Sequence, residues 1–451
     1  VSDKRVLVIG TTPDYISYIH LHFPNRALFV TDKAMRQRSP ETRPDGLSEL
    51  VCELKDFDTV VRRIIRHCRQ WKLEISGLTC FDCEYLELSA NIAKFFSLEF
   101  PSAKSMALSR SKFLSKQVWT QNGVRCPRFK LVRSEFETIR FVKDLGHPIV
   151  LKPLTGSGSE LTFQCFDIYE AFNAYRSVKN GLKIRENSPL YCLPKEGSLE
   201  TDSKALIMAE EFIYGREYSC DFIIAEGTAT IIRIAKKILD KTLPFGTTTE
   251  YIVPARLPKW IDRKELETML LQAAEALGIK RAICMVDFVI AKDEVVFLEL
   301  TPRIGGDCLP PLIKQCCGLD MLGLALDFAE KKRIVIPPES KWKHMVGLRM
   351  FATMEGKINK IDVSKLDDDP RIREITLKRF PGDGVTLPPD DYESWQLGHI
   401  IFETPAEGDI EKECREIRSK IEIIMEPYDG NDFIGYHQPN SEIIQKTDTP
   451  A

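Results

Sequence analysis

The sequence predicts a multidomain protein of mixed α/β and α+β class, and three features predict it. Strand and helix patterns alternate from Arg5 to about residue 105, as in a small, doubly wound, Rossmann-like parallel sheet. From Met106 the pattern changes to helices set between strand pairs, and beyond about residue 336 further strands and one helical stripe form another α+β unit. The expected division is therefore 1–105, 106–335 and 336–451.

With 451 residues, 43% of them hydrophobic, the chain is long enough to build several cores. A net charge of −3 gives no basic excess for nucleic acid. No run approaches the roughly 18 to 20 apolar residues of a membrane span, and the apolar start is too short for a signal peptide. The 13 cysteines are odd in number and scattered through apolar segments, which fits buried thiols in a reducing compartment. A cytoplasmic protein is expected. Cys80 with Cys83, and Cys316 with Cys317, lack histidines at zinc-ligand spacing.

Arg5 to Gly10 is a β-branched run that reads as a buried first strand. Ala27 to Thr31 and Leu50 to Leu54 read as the next two. Asp58 to Trp71 puts Val60, Val61, Ile64, Ile65 and Cys68 on one helical stripe, and Ile75 to Thr79 follows as a strand. A helix around Lys112 stops near Asn122 and Gly123, and another, Glu135 to Leu145, ends at Gly146, where glycine suits a left-handed cap.

Pro148 to Glu160 is a short strand with Lys152 at its end, then a loop of small residues that includes Ser157, Gly158 and Ser159. Such a loop turns several backbone N–H groups toward a phosphate, with Lys152 as a point charge beside it; a flexible hairpin tip is the alternative. Lys179 to Ser203 reads as a long loop. Ala205 to Ile224 reads as two strands joined through Glu211 to Glu217. Backbone groups of Glu211-Phe212-Ile213 suit an adenine edge and Glu217 suits ribose hydroxyls, against the alternative of solvent-facing acids. Lys264 to Leu277 is an amphipathic helix. Gly347 to Thr353, Ile372 to Arg379 and Gly398 to Phe402 read as strands, and Asp409 to Met425 as a helix with Ile421 and Ile424 facing inward. Arg349 is expected at the surface, with a reach into the site as the alternative, and the polar sequence after about Pro427 is expected to be loosely ordered.

The two runs Ala282 to Ala291 and Val295 to Thr301 carry the densest chemistry. Alternation puts Val286, Phe288 and Ile290 on one face, and Val296, Leu298 and Leu300 on one face. Burying both sets together calls for Ile290 opposite Glu294 and a three-residue loop, Ala291 to Asp293. Asp287 then lies diagonal to Glu299, with Thr301 beyond. Adjacent carboxylates repel unless a cation lies between them, and hard divalent ions prefer oxygen sites shared with phosphates, so this hairpin reads as a magnesium shelf. An amphipathic pair with acids facing water is the alternative. Pro302, Arg303, Gly305 and Gly306 follow, a permissive turn that lets a guanidinium approach an anion.

Taken in order, Lys112, Lys152 with its loop, Glu210-Glu211-Phe212-Ile213, Glu217, Asp287 and Glu299 resemble the ATP-grasp superfamily. The ending Leu298-Glu-Leu-Thr-Pro-Arg-Ile-Gly-Gly306 is similar to its carboxylate–amine ligase branch, which contains L-amino acid (dipeptide) ligases. The resemblance spans nearly the whole chain. It implies a Rossmann-like N-terminal domain, a central ATP-grasp domain of two α+β lobes with a hinge near 210–217, and a C-terminal α+β domain. It further implies ATP and Mg2+ as cofactors, with phosphates at Lys112 and Lys152 under the loop Thr155 to Glu160. Adenine would lie at Glu210, Glu211 and Ile213, ribose at Glu217, metal at Asp287, Glu299 and Thr301, and the acyl phosphate or a substrate carboxylate at Arg303. Small-molecule carboxylate and amine substrates are implied, with neither nucleic acid nor membrane as partner, and a homodimer is compatible with it. Thr301 stands where the family usually has Asn, and Ser111 where Asp commonly precedes the first lysine. The implied activity is amide formation through an acyl phosphate. The rivals are an ATP-grasp carboxylase working through carboxyphosphate and a nucleotide-binding protein that has lost its chemistry.

Overall fold

A computed structural model describes residues 3–37, 41–194 and 207–428, together with the backbone of 442–444. The N-terminal part is a parallel sheet in the spatial order Glu49–Cys52, Ala27–Asp32, Asp3–Ile9, Leu73–Thr79. Val6, Leu7, Val8 and Ile9 are all fully buried, as expected of a strand covered by helices on both faces. The helix Phe57–Trp71 starts at Asp56, whose side chain accepts from the Thr59 N–H, and ends at Lys72 in the left-handed conformation.

The middle of the chain forms two sheets. Phe129–Val132, Ile207–Glu211, Ile149–Pro153 and Phe163–Cys165 make a small antiparallel sheet in that order, packed on the helices Glu135–Leu145 and Ile168–Ile184. The second sheet, of nine strands among the described residues, begins with Val295–Thr301, Ala282–Ile290, Arg216–Ala225, Thr228–Leu239 and Thr248–Val253. It continues without a break into Met345–Phe351, Gln396–Glu403, Ile372–Leu377 and Glu442–Ile444. This continuity crosses residue 336, and one apolar cluster joins Val6 and Val8 to Ile283, Ile313 and Met321, so the three-part division of the chain is kept as a proposal that rests on the sequence pattern. Among the described residues, no helix is long and apolar enough to cross a membrane.

Several expectations are corrected. Ile290 pairs with Val295, not Glu294, and the loop is 291–294, closed by the Ala291 N–H donating to the Glu294 carbonyl at 3.1 Å. Asp287 pairs with Glu299 and Phe288 with Phe297, so Leu298 is an extra residue in its strand. That bulge switches the core face from Val295 and Phe297 to Leu300, which simple alternation could not anticipate. The helix Ile168–Ile184 occupies the start of the predicted loop at 179–203, of which 195–203 lies outside the described residues. The helix Ile410–Ser419 is shorter than predicted, because Glu422–Glu426 pairs as a strand with Gly356–Asp362 and leaves Ile424 45% exposed. The expected loose tail falls mostly outside the described residues.

Candidate active site

A second bulge shapes the site. Ile231 pairs with Phe222 but Arg233 with Asp221, so Ile232 is skipped and two oppositely charged residues face each other. Both are fully buried. The Arg233 Nε donates to Asp221 Oδ2 at 2.7 Å and its Nη1 donates to the Ser219 carbonyl at 2.8 Å. Asp221 Oδ1 accepts from the Gly305 N–H at 2.8 Å, which ties the turn after Arg303 to the sheet. A Cβ on Gly305 would stand 2.5 Å from Arg233 Nη2, so no side chain fits there.

From the two bulges, one sheet face can be followed residue by residue. Glu299 pairs with Asp287, Asp287 with Ser219, and Ser219 with Ala235; Glu217 and Lys237 lie two residues along their strands on the same face. Lys237 reaches both Glu217, at 3.3 Å, and Asp287, at 3.2 Å. Burial works against its charge, but Asp287 and Glu217 outweigh it and raise the pKa of Lys237. Glu299 meets Lys112 at 3.4 Å. Burial works to raise the Glu299 pKa, but Lys112, Lys152 and Lys116 together hold it below the ordinary range.

Lys112 opens the helix Lys112–Gln121, where the Ser111 side chain accepts from the Leu114 N–H, so serine caps where the family commonly has Asp. The Lys112 ammonium donates to the Gly156 carbonyl at 2.9 Å, at the start of the small-residue loop. Gly156, Gly158 and Ser159 all have positive φ, a contour that favours glycine and exposes backbone N–H groups. Ser159 Oγ donates to the Gly246 carbonyl at 3.2 Å, and Tyr191 donates to Glu160 at 2.5 Å, so the loop is anchored from two other segments. Cys83, Ser109, Arg110, Gly156, Leu190, Glu299 and Thr301 line one cavity beneath it.

Not every predicted residue faces that cavity. The Glu210 carboxylate is buried between Lys152, at 2.7 Å, and Lys116, at 2.9 Å, so it positions lysines and is not presented to a base. The Glu211 carboxylate turns to Arg128 and His147, and its N–H donates to the Arg128 carbonyl; any contact from its backbone to a base is made through its carbonyl. Arg303 donates from Nε to Cys83 Sγ at 3.0 Å and from Nη1 to the Ile304 carbonyl at 2.8 Å. Its charge also acts on Tyr15 and on Asp82. Arg349, expected at the surface, is 16% exposed and paired with Asp307.

Two lysines escaped the sequence reading. Lys116 lies one helical turn beyond Lys112, a spacing that puts both on one face, and its ammonium donates to the carbonyl of the bulged Leu298. Lys237 sits on Thr228–Leu239, a long run rich in β-branched residues, which is the signal that marks it as a strand. Asp287 and Glu299 offer oxygens only, side by side, each held by a lysine ammonium where a cation would otherwise be needed; this donor set fits a magnesium ion that also takes phosphate oxygens. Among the described residues no group of three or more metal-ligating side chains exists, and all 13 cysteines are free.

Residues 145–311 match the model of the ATP-grasp domain. A D-alanine–D-alanine ligase of Aromatoleum aromaticum is 27% identical over 234 residues, covering 51% of this chain and 68% of that protein. An L-amino acid ligase from Bacillus licheniformis superposes with a TM-score of 0.72 at 20% identity, over 94% of this chain and 100% of the other. The biotin carboxylase domain of a Hydrogenobacter thermophilus 2-oxoglutarate carboxylase, solved with MgADP, ADP and bicarbonate, gives 0.63 at 16% identity over 94% and 91%. The family match and the superpositions converge: residues 145–311 of this chain carry an ATP-grasp domain, set in a fold shared with these solved proteins.

Proposed function

We propose that the protein is an ATP- and magnesium-dependent carboxylate–amine ligase. The observation that carries this is the facing pair Asp287 and Glu299, set between the lysines under the small-residue loop and the Arg303 turn. A carboxylate oxygen of the acid substrate attacks the γ-phosphorus, the bond to the β–γ bridging oxygen breaks, and ADP leaves. The amine nitrogen then attacks the acyl carbon, phosphate departs and the nitrogen loses a proton. No nucleophilic side chain is needed, so the protein's part is placement and charge. Lys112 and Lys152 are the cations for the phosphates, and Arg303 is the cation beside the acyl group. Bound magnesium would neutralise phosphate charge at Asp287 and Glu299, with Thr301 beside them. The anchored loop excludes water, which would otherwise hydrolyse the acyl phosphate.

The test is chemical trapping. With ATP, Mg2+ and a panel of amino acids as acid substrates, hydroxylamine is expected to give an amino-acid hydroxamate in the absence of any other amine. ADP release without hydroxamate, dependent instead on bicarbonate, would establish the carboxylase reading; the carboxylase likeness in fold is the observation behind that rival.

An amino acid is favoured as the acid substrate because Asp82, next in sequence to the Cys83 that Arg303 contacts, brings an acid beside the guanidinium. Asp14, Asp82 and Glu84 all act on this neighbourhood, giving an ammonium a negative surface while Arg303 takes the carboxylate. Burial, reinforced by Glu84, pushes the Asp82 carboxyl up to about 8, with Arg303 opposing. Asp82 is neutral below that pH and anionic above it, so an ammonium gains a partner as pH rises through it. The KM for the amino acid is expected to fall roughly eightfold between about pH 7 and 8.5. Asp82→Asn should flatten that profile, and a parent KM indifferent to pH would remove Asp82 from the substrate's surroundings.

A further inference from the structure

The loop Thr155 to Glu160 is held from a third side, by a segment near the other end of the chain. Arg185, which follows the helix Ile168–Ile184, donates from Nη2 to the carbonyls of Pro389, at 3.0 Å, and Asp390, at 2.9 Å. The same guanidinium stands 5.9 Å from the centre of the Tyr392 ring and 3.8 Å from Glu160, at the end of the loop. A hydrogen bond joins the Tyr392 phenol to the backbone of Leu161. Leu161 is fully buried against Gly181 of that helix, where no Cβ would fit beside it. Capping its own helix does not account for Arg185, because the Gly181 carbonyl is 3.4 Å from Nη1 and both bonds to the distant carbonyls are shorter.

The receiving segment is braced. Asp391 accepts from the N–H groups of Glu393, at 2.8 Å, and Ser394, at 3.1 Å, and Arg379 donates to the carbonyls of the same two residues. Trp395 is buried in the C-terminal apolar cluster, and Gln396 Nε2 donates at 3.0 Å to Asp307, four residues beyond Arg303. A fixed strap therefore runs from the phosphate loop to the turn that carries Arg303. Its seam with the small sheet is different in kind. Among the described residues, the apolar cluster of that sheet lies within 132–209, and the C-terminal cluster includes none of those residues. Polar contacts across such a seam part more readily than a shared core. Burial works against the charge of Glu160, Asp391 and Glu393 add repulsion, and Tyr191 and Arg185 oppose them. Without the guanidinium, like charges face each other across the seam.

We propose that Arg185 and Tyr392 are the latch of the phosphate loop: the strap 389–396 holds that loop shut, and breaking the latch lets nucleotide out and water in. The inference rests on the ligase reading and adds to it the element that decides whether the acyl phosphate meets an amine or water. Both side chains act through the loop and are positioning residues. When water wins, its oxygen attacks the acyl carbon, the bond to the phosphate oxygen breaks, and the acid, phosphate and a proton result without product.

The test uses the full chain and two readouts. One is the dissociation rate of a fluorescent ADP analogue in Mg2+. The other is phosphate released in excess of any dipeptide, without hydroxylamine, from ATP and the acid that gives the largest hydroxamate yield. Arg185→Ala should speed analogue release about tenfold and raise the excess phosphate about fivefold. Arg185→Lys, which keeps the charge but not the fork of donors, should recover part of both. Tyr392→Ala should shift both in the same direction, and the double variant should go no further than the larger single one, because one latch is broken either way. If both alanine variants release the analogue and phosphate at the parent's rates, the latch is overturned and the ligase reading stands. A fall in both readouts with a lower melting temperature also overturns it, since Arg185 then only supports the fold. A parent that forms no hydroxamate overturns the ligase reading, and analogue release alone then decides the latch.

Discussion

Replacing Glu299 by glutamine is expected to cut ATP turnover at least about a thousandfold, equivalent to ~4 kcal/mol of lost transition-state stabilisation. The fold should survive, because the Glu299 side chain is 34% exposed on the polar face and supports no apolar cluster. Glutamine keeps the shape and one oxygen but removes the charge that faces Asp287 across the hairpin. The same change frees Lys112 from its 3.4 Å partner, so ATP can still bind through the lysines while chemistry fails. The measurement is steady-state ADP release beside a thermal melt. Turnover within a few-fold of the parent would take Glu299 out of the metal site, and a collapsed melt would show that the charge is structural.

Much of this site could be read from the chain, and the parts that could not share one cause. Lys112, Lys152, Asp287, Glu299 and Arg303 were legible because each sits at an element's end or on a polar face, where residue type and local alternation identify it. Glycine after a helix located Gly123 and Gly146 for the same local reason. What escaped depends on two strands at once. A bulge is a property of a pair, so the skip at Leu298 that sets Asp287 opposite Glu299, and the skip at Ile232 that sets Arg233 opposite Asp221, leave no trace in either strand alone. Arg349 was misjudged for a related reason: its partner, Asp307, lies 42 positions earlier and meets it only because the sheet continues into the C-terminal strands. Glu210 shows the limit of order-based resemblance. It lies on the strand that carries the adenine-site expectation, but its carboxylate faces inward to the lysines, a distinction made by the strand's pleat and by Lys116, one turn along a helix far away in sequence.

That inward carboxylate gives the second large effect. Glu210→Gln is expected to lower stability by about 3 kcal/mol and to weaken ATP binding at least about tenfold. Lys116 is fully buried, and burial lowers its pKa against the opposing pull of Glu210. Removing the carboxylate leaves two ammonium groups, Lys116 and Lys152, close together with no shared anion, which costs more than the lost pair itself contributed. Lys152 then has no anchor at the end of its strand, and the charge offered to the phosphates is no longer fixed in place. The pH dependence has a definite sign. Burial works to raise the Glu210 pKa, but Lys116 and Lys152 hold it below the ordinary glutamate range. Its stabilisation is therefore present above the unfolded value of about 4.3 and disappears as pH falls through the lower folded value. Parent and variant should differ most near neutrality and converge in acid. Adding Lys116→Met to Glu210→Gln removes one orphaned charge and should recover part of the stability but not the ATP affinity. A neutral-pH melt unchanged by Glu210→Gln would mean that the lysines are held by something other than this carboxylate.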